Sequence, residues 1–550
     1  MVKKLKVQSK FSILAIFIIL ICCVGAVSAT DEDGTDDVIP DEIVMDDVVE
    51  EVDVDDASDS VVDEKNGTRG SQSQVTSTTY DSFFDSDGNL LSSVSDSSIS
   101  FTGTFSNMPF SNFIINKQIG LDLTGATFNN VGFKLIASGI TLTDGTINMD
   151  ATTQSESAIY IGASNVTVSG VIMDITANPS NDSYAVNMLN AENAKLLNNA
   201  ITFNATTTAD KYNHVIRVVN STNVEVSGNN ITAFLPLKAV NFEEPFPSIY
   251  TDYPAVVAVQ SSNKFNLRNN KIEANVSCSD NNYPTLDVVI MVDSNSSYVE
   301  YNNITQFDTV TGLNQVNYLY AVDFYKCYNS YIKYNNIAIN SKGGIVVTNG
   351  SGAAYPIQLT GPYRYVYIEY NNLTSANNGP NIGIYSQNFY GETNNLIIRH
   401  NNINITGKSN NNPYSLVTGI ETQDTYSTIT YNNIYVNNTA GYNPNYYAFG
   451  ISYAQSTPNM HRFNIRYNHV TVENGKYAVY LLSATNSSVS NNYLTTNVFT
   501  GNDAVNIISG SGNTVKNNGA NNIANSINIA NYFKSMNYSG RIYKSGSLIR

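Results

Sequence analysis

Ile332-Lys-Tyr-Asn335-Asn-Ile337 decides the fold, because the same frame stands on either side of it. Val299-Glu-Tyr-Asn302-Asn-Ile304 comes before it and Ile368-Glu-Tyr-Asn371-Asn-Leu373 after it. Toward the N-terminus the frame returns at Leu267-Arg-Asn-Asn270, Val226-Ser-Gly-Asn229 and Leu196-Leu-Asn-Asn199. Toward the C-terminus it returns at Ile398-Arg-His-Asn401, Ile429-Thr-Tyr-Asn432, Ile465-Arg-Tyr-Asn468, Val489-Ser-Asn-Asn492 and Val515-Lys-Asn-Asn518. Successive Asn positions are 30, 41, 32, 33, 36, 30, 31, 36, 24 and 26 residues apart. A constant frame at uneven intervals is a structural repeat carrying loops of varying length. Upstream the frame continues without Asn at Val171, Gly145 and Ala126, which makes about fourteen turns of one solenoid.

Helical repeats do not fit. Apolar residues alternate at short range, as in Val224-Glu-Val226 and Val505-Asn-Ile507, and Gly, Asn and Ser interrupt every segment. Short strands joined by tight turns remain. One coil of such strands buries little, whereas stacked coils share a core and bond their backbones to neighbours about 4.8 Å away. The expected architecture is an all-β, right-handed parallel β-helix (β-solenoid) with an Asn turn ladder at Asn199, Asn229, Asn270, Asn302, Asn335, Asn371, Asn401, Asn432, Asn468, Asn492 and Asn518. Asn suits a turn because it tolerates left-handed backbone and can hydrogen-bond along the column. Pro236, Pro245, Pro247 and Pro254 are expected to keep the longest excursion irregular.

Two outward columns test the register. Arg268, Glu300, Lys333, Glu369 and Arg399 lie two positions before the Asn and alternate in sign. Exposed pairs of this kind contribute only about 0.2–1 kcal/mol each, so their value is as evidence of stacking. One position later come Tyr301, Tyr334, Tyr370, His400, Tyr431 and Tyr467. They read as an aromatic stack filling the solenoid, with a sugar-stacking strip as the functional alternative.

The N-terminus carries different signals. Lys3, Lys4, Lys6 and Lys10 precede an apolar run from Phe11 to Ala26, and Val27-Ser28-Ala29 offers a cleavage pattern. Residues 1–29 read as a signal peptide, with an uncleaved anchor as the competing reading. Residues 31–64 hold 17 acidic side chains and no basic one, so residues 30–74 read as a disordered, self-repelling acidic linker. Of the net charge of −17, the remaining 486 residues contribute only −4, from 25 basic and 29 acidic groups. Without clustered Lys and Arg, nucleic acid is excluded as a partner. After signal cleavage no stretch approaches the roughly 20 apolar residues that span a bilayer, and no C-terminal anchor is recognisable. The expected location is secreted or at the cell surface. Residues 75–550 form the β-helix with its caps, the segment after Asn518 with Phe533 and Tyr538 serving as the C-terminal one.

Chemistry is sparse. An inverting glycosidase needs two carboxylates about 6.5–9.5 Å apart. The outward residues of one strand stack are expected at Asn187, Arg217, Asp323, Tyr385, Glu421, Ser452, Tyr480 and Asn506. Asp323 and Glu421 then fall three coils apart, roughly 14 Å, and cannot flank one bond. Arg217 has no carboxylates beside it for lyase chemistry, and Glu243-Glu244 reads as loop charge. The four histidines, His214, His400, His461 and His469, show no metal-ligand spacing. The expectation is no catalytic, metal or cofactor site. Asp85-Ser-Asp87-Gly-Asn89 has spaced oxygens, but without the bidentate Glu of a calcium loop it reads as a polar turn. Cys278 and Cys327 are free to form a disulfide in an oxidising exterior. Fifteen Asn-x-Ser/Thr sequons follow the signal, with Asn165, Asn230, Asn303, Asn372 and Asn486 as glycosylation candidates.

The signal, the acidic Asp/Val-rich leader, the Phe84-Asp-Ser-Asp-Gly-Asn-Leu90 segment and the Val-x-x-Asn-Asn-Ile solenoid together resemble the adhesin-like proteins of methanogenic archaea. The solenoid alone, residues 80 to 530, resembles the wider pectate-lyase-like β-helix superfamily. The resemblance implies a surface role in attachment to glycans or to surface proteins of other cells. No pectinase motif is present, so no catalytic residue carries over. An extracellular polysaccharide lyase or glycoside hydrolase, and a structural cell-envelope component, are the alternatives.

Overall fold

The computed structural model describes residues 73–205, 213–239, 254–279, 284–308, 318–342, 353–387, 395–412, 415–453 and 462–519, with 543–544 and 547–548. The expected signal peptide, most of the expected acidic linker, Glu243, Glu244, Pro245, Pro247, His461 and the cap expected around Phe533 and Tyr538 lie outside the described residues.

Each repeat lays down three strands. The first stack holds the strand before the Asn turn, as in Glu225–Ser227, Asn266–Arg268, Tyr298–Glu300, Tyr331–Lys333 and Val366–Glu369. The second stack starts just after the Asn, as in Asn230–Ala239, Lys271–Ser279, Asn303–Asp308 and Asn336–Ser341. The third follows the connection of varying length, as in Ala255–Gln260, Pro284–Val292, Tyr318–Tyr325 and Ala354–Thr360. The first stack contains 16 strands, and the other two together contain 28, divided equally. The chain is a right-handed parallel β-helix. Its second and third stacks are tied once, where Lys238 and Ala239 pair antiparallel with Thr285 and Pro284.

Burial explains the frame. Val226, Leu267, Val299, Ile332, Ile368, Ile398, Ile429, Ile465 and Val489 form one column with no exposed surface. Each such side chain contributes about 1.5–3 kcal/mol of apolar burial. Toward the N-terminus the column runs on through Leu196, Val168, Leu142, Leu121 and Ile99, and phenylalanines fill the core beside it. Phe84, Phe101, Phe105, Phe113, Phe128 and Phe133 interlock, with Phe105 and Phe128 stacked at 4.8 Å and Phe84 edge-on to Phe113 at 4.9 Å. Phe84 and Leu90 bridge across the Asp85 turn and bring Leu90 N–H onto the carbonyl of Ile114 at 2.9 Å, so the turn covers the open end. The Asp85 carboxylate closes that turn, accepting from the Asn89 N–H at 2.8 Å and the Asp87 N–H at 3.0 Å. These bonds hold its pKa below the usual carboxylate range, the Asn89 backbone bond first.

The Asn ladder is present, but its physical basis differs from the expectation. The left-handed residue is the one before each Asn: Asn198, Gly228, Asn269, Tyr301, Tyr334, Tyr370, His400, Tyr431, Tyr467, Asn491 and Asn517. The Asn side chain instead turns inward and is buried. Asn335 shows the pattern. Its Oδ1 accepts from the backbone N–H and the Nδ2 of Asn302, both at 3.0 Å. Its Nδ2 donates to Val299 O at 2.8 Å and to Asn371 Oδ1 at 3.0 Å. Neither Asp nor Leu could both donate and accept here. The ladder begins where Val171 N–H donates to Asn199 Oδ1 at 2.9 Å. It closes where Asn518 Nδ2 donates to Asn502 Oδ1 at 2.9 Å, in the 3-10 turn Gly501–Ala504.

Two further expectations change. The strand Asn230–Ala239 runs through Pro236, because the register shifts between Leu235 and Leu237 and the missing N–H falls in the irregularity. Cys327 is a free, buried thiol. It continues an interior column in which Ser221, Ser262 and Ser294 accept from the backbone N–H groups of Ala191, Ser221 and Ser262 at 3.0 Å. Burial pushes the Cys327 thiol up to about 12, so it stays protonated and unreactive. The side chain of Cys278 lies outside the described residues.

Candidate functional site

The corner between the first and second stacks carries the aromatic ladder. Successive rings from Tyr301 through Tyr334, Tyr370, His400 and Tyr431 to Tyr467 are stacked 4.8, 5.0, 4.7, 5.1 and 5.0 Å apart, with interplanar angles of 14° or less. The rings stand outside the coil, on residues with φ of 56–57°, rather than filling it. Each interior ring has both faces covered by its neighbours, so it presents only an edge. A pyranose needs a bare face. The ladder is therefore structural, and the sugar-strip reading of it fails on geometry.

The neighbouring columns are equally regular. Tyr298, Tyr331 and Tyr367 stack 4.8 Å apart, and the Lys333 ammonium lies 4.4 Å from the Tyr331 centroid. The charged column pairs Arg268 with Glu300 at 3.4 Å, Lys333 with Glu369 at 2.8 Å and Arg399 with Glu369 at 2.6 Å. Glu369 is buried rather than exposed, which makes its two pairs stronger than surface bridges. Beyond the turn, Asn336, Asn372, Asn402 and Asn433 each donate to the Asn one coil earlier at 2.7–2.8 Å. The sequon residues Asn303 and Asn372 belong to this row, and Asn372 has its amide committed to Asn336. Asn165, Asn230 and Asn486 are exposed.

The outward face of the third stack is different. The expected column is confirmed by register: Asn187, Arg217, Ala258, Ile290, Asp323, Gln358, Tyr385, Glu421, Ser452, Tyr480 and Asn506 follow one another. A second outward column runs through His214, Ala255, Asp287, Tyr320 and Tyr355. No regular ladder forms across this face. Tyr320 and Tyr355 stack at 5.1 Å, Tyr355 and Tyr385 are tilted by 56°, and Tyr447 meets Phe449 edge-on. Ile382, Leu416 and Phe449, with Tyr355, Tyr385, Tyr447, Tyr477 and Tyr480 against them, make an apolar cluster separate from the core. Burial raises the hydroxyls of Tyr320, Tyr355 and Tyr385 well above the usual phenol range.

Carboxylates are set among these rings. Glu421 and Asp323 lie three coils apart by register, as expected, and Glu421 accepts from the Ser452 hydroxyl. Asp424 is held by the hydroxyls of Tyr363, of Ser386 at 2.5 Å and of Thr422 at 2.8 Å. The sequence reading missed the neighbour of Asp323. Asp287 occupies the adjacent coil, and the two carboxyls are 1% and 3% exposed. Each keeps one oxygen, Oδ1, that meets no donor. Burial is the main cause that pushes Asp323 up to about 7, opposed by a hydrogen bond from Gln358. Asp287 is raised well above the carboxylate range by burial and then by the charge of Asp323. Two acids on adjacent coils are the raw material of sugar hydrolysis. Sealed as these are, a polymer lying on the face would not reach them.

Asp287 was hidden by a broken alternation. Val288 and Val289 both point into the core, as do Ala321 and Val322 in the next coil, so outward positions fall three residues apart. Arg217 also gains neighbours that spacing did not reveal. It donates to Asn187 Oδ1 at 3.3 Å and lies 5.5 Å from the Tyr184 centroid, with His214 stacked on that ring. Val219, Ala258, Gln260, Ile290 and Val292 line a shallow groove beside it. Among the described residues no group of three or more His, Cys, Asp or Glu could hold a metal ion. No helix among them is long and apolar enough to cross a membrane.

No family model matches the chain, and no curated protein matches it. Among solved structures it is similar to the catalytic domain of a GH87 alpha-1,3-glucanase in complex with nigerose, at 12% identity and a TM-score of 0.32. Two altered forms of a GH87 alpha-1,3-glucanase catalytic domain, in complex with tetrasaccharides, follow at 12% identity and TM-scores of 0.31 and 0.29. Each alignment covers 76% of this chain and 65% of the other. At that distance they carry no argument about what this chain binds.

Proposed function

We propose that the chain is an exported, adhesin-like cell-surface protein that binds glycans through the outward face of its third strand stack. One observation carries this reading. The corner rows, from the aromatic stack to the Asn row that opens the second stack, are closed by self-satisfied ladders, while the third stack presents part-exposed rings at differing tilts around an apolar cluster. Aromatic bodies with polar tips suit ligands that are apolar on one side and hydroxylated on the other. The signal peptide and acidic linker read from the sequence would carry this face out of the cell and hold it away from the envelope.

A glycan array incubated with the purified protein tests the reading, scored for both retention and cleavage. Retention without product is expected. Tyr385→Ala should weaken retention by about tenfold or more, as loss of a central aromatic anchor does. Tyr431→Ala, on the outer ladder, should leave it unchanged. Equal losses in the two variants would remove the third face as the binding surface. Release of sugar would make the chain a glycoside hydrolase instead.

A further inference from the structure

The buried acids Asp287 and Asp323 have no part in surface binding, yet their placement is costly. They lie on adjacent coils of the third stack, both directed to its outward side, both nearly without solvent contact, and each with an oxygen that no donor reaches. A buried carboxylate of this kind survives by neutralising or by finding a cation. Among the described residues, the elements around the pair supply little to neutralise it. The strand Tyr318–Tyr325 contributes Tyr318 and Tyr320, and Ala354–Thr360 contributes Tyr355 and the neutral Gln358. The strand Ala255–Gln260 sets Ala255 and Ala258 beside them, with His214 one coil further on in the Asp287 column. Lys238 is the basic residue on a bonded strand, and it meets Thr285 through backbone pairing.

We propose that Asp287 and Asp323 form a pH-sensitive latch, uncharged and closed in mildly acidic surroundings and opened as the pH rises through neutrality, because their sealed positions cannot solvate the ionised carboxylates. The sign follows from linkage. Both carboxyls bind protons more tightly in the folded chain than when exposed, so between the ordinary carboxylate pKa and their folded values the open form releases protons that the closed form keeps. Closure is therefore strongest in acid and weakens with rising pH, through about 7 for Asp323. The segments expected to loosen are Pro284–Val292 and Tyr318–Tyr325, which carry the pair.

Hydrogen exchange of the full protein between about pH 5 and pH 8, corrected for intrinsic rates, reads the latch directly. The opening constant of these two strands should rise by about tenfold per pH unit for each proton released, so by up to about a hundredfold where both carboxyls are still protonated in the closed form. The first-stack strand Tyr331–Lys333 should keep a flat profile. The double variant D287N/D323N should flatten the slope. An infrared band of a protonated carboxyl near pH 6, present in the natural protein and lost in the double variant, gives a second reading that does not depend on stability. A flat profile in the natural protein or an unchanged slope in the double variant would overturn the latch. None of these readings requires a glycan, so the result stands apart from the binding proposal.

Discussion

The Asn corner and the outward face of the third stack are built from the same repeat and have opposite characters. At the corner each coil reproduces the last: amide on amide, ring on ring, charge on opposite charge. On the third face the aligned residues are Arg217, Ala258, Ile290, Asp323, Gln358, Tyr385 and Glu421, no two neighbours alike. Repetition is what stacking rewards, since identical groups 4.8 Å apart satisfy one another. A column that gives up repetition gives up that reward. The third face does so among clustered aromatic rings, which is why the binding proposal is placed there.

The contrast can be broken most sharply at the corner. Asn335→Ala strips Asn302 of the acceptor for two donors and leaves Val299 O and Asn371 Oδ1 without their amide donor. A loss of about 3–5 kcal/mol is expected in chemical denaturation, because the buried Asn302 N–H loses its acceptor, a cavity opens, and the neighbouring rungs each lose a bond. Glu369→Gln removes the charge shared by Lys333 and Arg399, for about 1–2 kcal/mol, since both cations keep some access to water. Cys327→Ser should change stability by less than about 1 kcal/mol, because serine already fills that interior column at Ser221, Ser262 and Ser294. Tyr334→Phe should be smallest, within about 0.5 kcal/mol, as the ring keeps its stack on Tyr301 and Tyr370. If Asn335→Ala proved as mild as Tyr334→Phe, the ladder would not be what distinguishes the corner.

The sequence disclosed the corner far better than the face. A residue that must both donate and accept at every coil leaves an Asn at every coil, and such a signal is hard to miss. The reason for that Asn was legible only in part, because the left-handed position is its predecessor, where Tyr, His, Asn and Gly all occur. On the third face, Asp323 and Glu421 were placed correctly by alternation, whereas Asp287 was not. Consecutive inward valines, Val288 and Val289, break the period of two on which outward positions are counted. A carboxyl flanked by such an apolar run is the one sequence sign that could have pointed to it. Pro236 misled for a related reason, since a local register shift absorbs a proline that an ideal strand could not.

One property of the ladder has an electrical consequence. From Asn199 to Asn518 every amide-to-amide bond of the ladder runs from a side-chain nitrogen to the oxygen of the following coil, without a reversal. Their dipoles therefore add head to tail, as peptide dipoles do along an α-helix. Aligned bonds polarise one another, so a rung in the middle is held by neighbours on both sides and an end rung by one. The column thus has a positive and a negative pole, with Val171 N–H at the oxygen-bearing end and Asn502 Oδ1 at the nitrogen-bearing end. Removing Asn335 would divide one long dipole into two short ones, whereas removing Asn518 would only shorten it.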